Sequence, residues 1–224
     1  MTTPNQNEGT VHRFLEARLH RAAAHSNDSY DAKIVRDYCD LVDDVIDRQG
    51  YGHSLFRVSP DLLKSSSAEI YTFKDESGVY AALHMAPDPS DEFTWINGVV
   101  KAKGQSGAAI RELMAKSMLD YSAANPDGMS YRACYRKFPD GFKDQFGKIR
   151  SMNEGSAKLF EDFAFSIVDE EMVDVQGSFQ DRHLFKHCEP NTSSFWVNIV
   201  ESDLATHYVA QEYLRILPSM VGMA

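Results

Sequence analysis

The sequence predicts an α+β fold in which a mostly antiparallel sheet is flanked by helices, and three observations predict it. Apolar residues first repeat at helical spacing. Near Ala68 the period shortens to that of strands. After a glycine-containing turn at residues 104–107, helix and strand patterns alternate to the end of the pattern.

The elements follow in order. Residues 1–10 read as a disordered lead-in, and residues 11–224 as one domain. Residues 11–24, rich in Ala, Leu, Arg and Glu, place Phe14, Leu15, Arg18 and Leu19 at helical spacing and predict an N-terminal helix. Asn27 and Asp28 interrupt it. Ile34, Tyr38, Leu41, Val42, Val45 and Ile46 then recur at intervals of three and four, which predicts a second amphipathic helix stopped by Gln49 and Gly50. Strand-like runs at residues 70–73 and 79–85 flank a Gly-containing turn, and a third at 93–100 completes an antiparallel meander.

A long helix begins after residues 104–107 and presents Ile110, Leu113, Met114, Ser117, Met118 and Tyr121 on one face. Residues 125–128 stop it. A strand at 129–135, a polar excursion at 136–152, a short helix at 154–163 and strands at 166–175 and 182–187 close the pattern. Beyond them, 195–200 reads as an added strand and 204–217 as an amphipathic helix ended by Pro218. That addition could cover a substrate cleft, form a homodimer contact or pack on the core.

Composition narrows the function classes. The 224 residues are 43% hydrophobic and 25% charged, which is ordinary for a globular core of this length. A formal charge of −10 opposes the basic footprint that nucleic-acid binding requires, and it suits neutral or cationic substrates. The three cysteines, Cys39, Cys134 and Cys188, show no metal or disulfide spacing, which points to a reducing cytoplasm. No apolar run approaches the ~20 residues of a membrane span, and the polar N-terminus carries no export signal. His183 and His187 share a strand face but lack a third ligand nearby in sequence, so no metal site is expected.

Two motifs carry chemistry. The first runs Asn153, Ser156, Leu159, Phe160, Glu161, Phe163, Phe165 and Val168: a helix with a capping Asn and an apolar i, i+4 pair, leading into a strand. The second is the loop Lys103, Gly104, Gln105, Ser106, Gly107, Ala108, Ala109 after Val99 and Val100. Glycines and a helix N-terminus there suit a diphosphate, although Ser106 is equally a plain helix cap. Together with the element order over residues 68–188, these motifs resemble the GNAT N-acetyltransferase superfamily, its fourth-helix signature and its pyrophosphate loop. Gly104 stands where that loop usually has Arg or Gln, and Lys101, Lys103 or Gln105 can substitute.

The resemblance implies acetyl-CoA or another acyl-CoA held in a V-shaped opening between the strands at 93–100 and 129–135. It further implies direct transfer of the acyl group to an amine of a small molecule or protein, with backbone N–H groups near Val99 and Val100 stabilising the oxyanion. The donor would contact Val99, Val100, Lys101, Gly104, Gln105, Ser106, Gly107, Ala108, Ala109 and Asn153. Glu92, with Asp91 beside it, and His84 are candidate general bases. Each also reads blandly, the acids as turn solvation and His84 as a hydrogen-bonded sheet residue. The family's usual tyrosine acid falls on Phe160, which cannot donate a proton, leaving Ser156, Tyr135 or unassisted departure of the thiolate. Alternatives are a non-catalytic acyl-CoA-binding module and a nucleic-acid-modifying enzyme, the latter opposed by the acidic balance.

Overall fold

The computed structural model describes residues 17–48, 55, 57–88, 93–125, 130–138, 140–144, 146–174, 194–202 and 205–221. The lead-in, Glu92 with Asp91, the expected strand at 182–187 and the stops at 49–50 and 126–128 lie outside them. In chain order the elements are β1 (His20–Ala23), α1 (Ser29–Asp47), α2 (Pro60–Ser65), β2 (Glu69–Asp75), β3 (Gly78–Pro87), β4 (Phe93–Lys101), α3 (Gly107–Ala124), β5 (Ser130–Arg136), α4 (Glu154–Asp162), β6 (Phe165–Asp174), β7 (Ser194–Ser202) and α5 (Ala205–Val221).

The seven strands form one sheet in the order β1-β2-β3-β4-β5-β7-β6. Every pairing is antiparallel except β4 with β5. The expected meander is thus present as β2, β3 and β4. On one face, α1 buries Ile34, Tyr38, Leu41, Val42, Val45 and Ile46, the predicted stripe, against Ile70, Ala82 and Val100. On the other, α3 buries the predicted Ile110, Leu113, Met114, Met118 and Tyr121 together with Leu159, Phe160 and Phe163. Fully burying such side chains stabilises by roughly 1.5–3 kcal/mol each, so these two layers hold the sheet between them.

Three expectations are corrected. The described end of the expected first helix is strand β1, paired His20↔Thr72 through Ala23↔Glu69, because the ladder with β2 and the docking of Ala22 and Ala24 under α1 override the local helix propensity of an Ala- and Arg-rich stretch. The segment at 194–202 is integral rather than added, since β7 pairs with both β5 and β6. Finally, α5 continues past Pro218 to Val221. A proline removes a single N–H donor, and one lost bond in a last turn need not end a helix packed along α3.

Candidate functional site

The sheet opens at its one parallel pairing. β4 and β5 match from Phe93↔Ser130 to Ile96↔Ala133 and no further, although β4 runs on to Lys101 and β5 to Arg136. The split leaves the β5-facing backbone groups of the later β4 residues without a ladder. Such groups need partners.

A bulge sits at the mouth of this split. Across β3 and β4, His84 pairs with Asn97 and Ala82 with Val100, so three β4 steps oppose two on β3. The extra residue is accommodated at Gly98, whose φ of 57° lies in the left-handed region. Beneath it, on the α1 face, the Tyr38 hydroxyl lies 3.2 Å from Gly98 O and 2.8 Å from His84 Nδ1. A Cβ at Gly98 would overlap that hydroxyl and stand 3.0 Å from His84 Nδ1. Burial raises the Tyr38 phenol, helped by Cys39, and lowers the His84 imidazole to about 4, so both are neutral at pH 7.

Past β4 the chain turns through Gly104, at φ 84°, into α3. Lys101 Nζ donates to Gln105 O at 2.7 Å and closes the turn. Ser106 Oγ accepts from Ala109 N at 3.4 Å, the capping role expected of it. Gly104, Ser106 and Gly107 are exposed, Gln105 and Ala108 half-buried, and Ala109 buried. A methyl group at Gly104 would meet nothing within 4 Å, so the space beside Gly104 is open, whereas one at Gly107 would stand 2.8 Å from the Arg111 guanidinium. Arg111 donates to Gly107 O at 3.1 Å and to Asp162 Oδ2 at 2.7 Å, tying the first turn of α3 to the last turn of α4.

The α4 wall of the opening is apolar. Asn153 caps α4, accepting from Ser156 N at 3.3 Å, while its own N–H donates to Arg136 O at 2.9 Å at the end of β5. Ser156 is half-buried. Phe160 is 3% exposed and packs against Phe165 at 5.3 Å, within the core rather than aimed at a substrate. Val99 packs on this side and Val100 on the α1 side, so the two flank the sheet at the bulge. His84 and Ser156 consequently sit over opposite faces of the sheet.

Sequence reasoning placed Tyr38 in an apolar stripe and passed over Gly98 and Asn198. A Tyr within such a stripe needs a partner for its hydroxyl, and a Gly inside a strand marks a bulge, so two of the three left a signal. Asn198, opposite Tyr135 on β7, is 3% exposed, and its Oδ1 has no hydrogen-bond partner among the described residues.

No family model and no curated protein matches the sequence. Solved structures do match it in fold. An acyl-CoA N-acyltransferase from Pseudomonas aeruginosa aligns with a TM-score of 0.53 over 83% of this chain and 99% of that one, at 9% identity. An N-acetyltransferase from Staphylococcus aureus Mu50 aligns with a TM-score of 0.52 over 84% and 99%, at 12% identity. The fold shared with these structures is that of the GNAT acetyltransferases.

Proposed function

We propose that this GNAT-fold chain is an acyl-CoA-dependent N-acyltransferase, with acetyl-CoA as donor and an amine of a small molecule or protein as acceptor. The observation that carries the reading is the end of the β4–β5 ladder at Ile96↔Ala133, beside a glycine bulge and one strand-length from an open helix N-terminus. Unpaired strand edges offer hydrogen bonds to the amides of an extended pantetheine arm, as an added strand would. The loop of Lys101, Gly104, Gln105, Ser106, Gly107, Ala108 and Ala109 would receive the pyrophosphate, with backbone N–H groups and the helix dipole opposing its charge. Asn153 would meet the arm from α4.

In the transfer the amine nitrogen bonds to the thioester carbonyl carbon, charge passes to the carbonyl oxygen, and the C–S bond then breaks. Backbone N–H groups near Val99 and Val100 would hold that oxygen, a contribution of about 3–4 kcal/mol per well-aimed donor. The proton lost by the amine passes to Glu92 or to water leading to it, while His84, buried on the α1 face and bonded to Tyr38, acts as the hydrogen-bonded sheet residue of its other reading. The thiolate takes a proton from Ser156 or Tyr135, or leaves unprotonated.

Direct transfer, rather than an acyl-cysteine intermediate, is supported by Cys134. Burial, reinforced by Glu171, pushes this β5 thiol up to about 11, so it is not a thiolate at pH 7. The free thiols of Cys39 and Cys134 also fit a reducing cytoplasm, and among the described residues no helix is long and apolar enough to cross a membrane.

A second reading, an acyl-CoA-binding module with little chemistry, is favoured by the apolar Phe160 and by Gly104 at the loop position that usually carries Arg or Gln in the resembled family. Incubation with acetyl-CoA and a panel of polyamines, amino acids and short peptides separates the two. Amine-dependent thiol release supports the transferase; acetyl-CoA binding without release supports the module.

A further inference from the structure

Resting on the transferase reading, we infer that Tyr38, oriented by His84, is a positioning residue that pins the Gly98–Val99 peptide and so aims the Val99 N–H at the thioester oxygen. A tyrosine hydroxyl holds one proton. Gly98 O can only accept, so at 3.2 Å it takes that proton, and the 2.8 Å bond with His84 must be donated by the imidazole. This fixes the His84 tautomer with hydrogen on Nδ1, by the logic of the network rather than by sight of the proton.

The consequence for catalysis follows from peptide geometry. In a planar trans peptide the C=O and the following N–H point in opposite directions. Gly98 C=O points toward α1, where Tyr38 waits, so Val99 N–H points away from α1, toward the side of α3 and α4. Gly98 is the residue whose backbone turns most freely, and here it occupies the unpaired step of the bulge. Without the pin, a flip of this peptide would turn a carbonyl oxygen toward the developing oxyanion and cancel the donor. Tyr38 and His84 are fully or nearly fully buried, at 0% and 8% exposure, and their ring centroids lie 5.7 Å apart edge to face, so the pair is held rigidly. The α1 helix, which touches no ligand in this scheme, thereby sets the direction of a donor on the far side of the sheet.

The test uses the full chain, acetyl-CoA and the amine panel, with amide exchange at Val99 read by NMR. Y38F is expected to lower kcat by about 10–100-fold, part of the effect of deleting an oxyanion donor, with KM for acetyl-CoA within about threefold. H84A follows in the same direction. H84N, whose Nδ2 stands near the place of Nδ1, restores most of kcat. V42A, at a buried α1 position facing the same core, controls for lost stability and leaves kcat unchanged. Faster exchange of the Val99 amide in Y38F, with this split between kcat and KM, supports the inference. Wild-type kcat and exchange in Y38F overturn it while sparing the transferase reading. If the wild-type chain turns over no acetyl-CoA, the transferase reading fails, and Val99 exchange in Y38F decides separately whether the pin exists.

Discussion

The two walls of the β4–β5 opening are built from opposite materials. On the α1 side a buried polar chain, His84 to Tyr38 to Gly98 O, reaches the strand backbone; on the α4 side Phe160, Phe163 and Phe165 fill the space with hydrocarbon. Buried polar groups persist only when satisfied, so the first wall fixes one geometry, while the second merely excludes water. Under the proposed transfer, the difference places accuracy in the donor that meets the oxyanion rather than in proton delivery to the sulfur.

The largest effect that would break this contrast is at the bulge. Gly98→Ala meets both the left-handed φ and the Tyr38 hydroxyl, and should destabilise by about 2–4 kcal/mol in urea unfolding and lower transfer at least 100-fold. An Ala at this position with wild-type stability would mean the bulge is not held as described.

Next comes the pH response of the polar wall. His84 titrates near 4 folded and near 6.5 unfolded, so between these values the unfolded chain binds the extra proton. Stability from this residue is therefore full above pH 6.5 and lost as pH falls toward 4, by about 3 kcal/mol in all. Unfolding free energies from pH 7 to 4 should fall less steeply in H84N than in wild type.

The apolar wall should respond less. Phe160→Tyr restores the hydroxyl of the family pattern, yet the ring is packed against Phe165, and kcat should change by under about threefold with a stability cost of about 1–2 kcal/mol. A tenfold gain would show that thiolate protonation limits the rate. The smallest effect lies where this wall meets β6. Ala164 adopts the left-handed φ of 60°, so Ala164→Gly should stabilise by about 1 kcal/mol without altering kcat.

What the sequence revealed follows the same division. The apolar stripes of α1 and α3, the meander and the Ser106 and Asn153 caps are local, and spacing or side-chain chemistry exposes them. The pin joins residues 46 and 60 positions apart in the chain, so no local pattern contains it. β1 was hidden for a related reason. His20–Ala23 has no strand signature of its own and becomes a strand through its ladder with β2. β7 reads clearly as a strand, but its place between β5 and β6 depends on pairing across the sheet. The candidate base Glu92 is read from its place at the start of β4 and lies outside the described residues, while the pyrophosphate loop is read from the family resemblance.

The most direct test of the donor site is hydrogen exchange across residues 97–109 with and without saturating acetyl-CoA, alongside the melting temperature. The account predicts slowed exchange through Gly98, Val99 and the Gly104–Ala109 turn. At ligand about 100 times Kd it also predicts about 2.7 kcal/mol of stabilisation, seen as a Tm rise of about 5–10 °C. Unchanged exchange in these residues together with an unchanged Tm would contradict it.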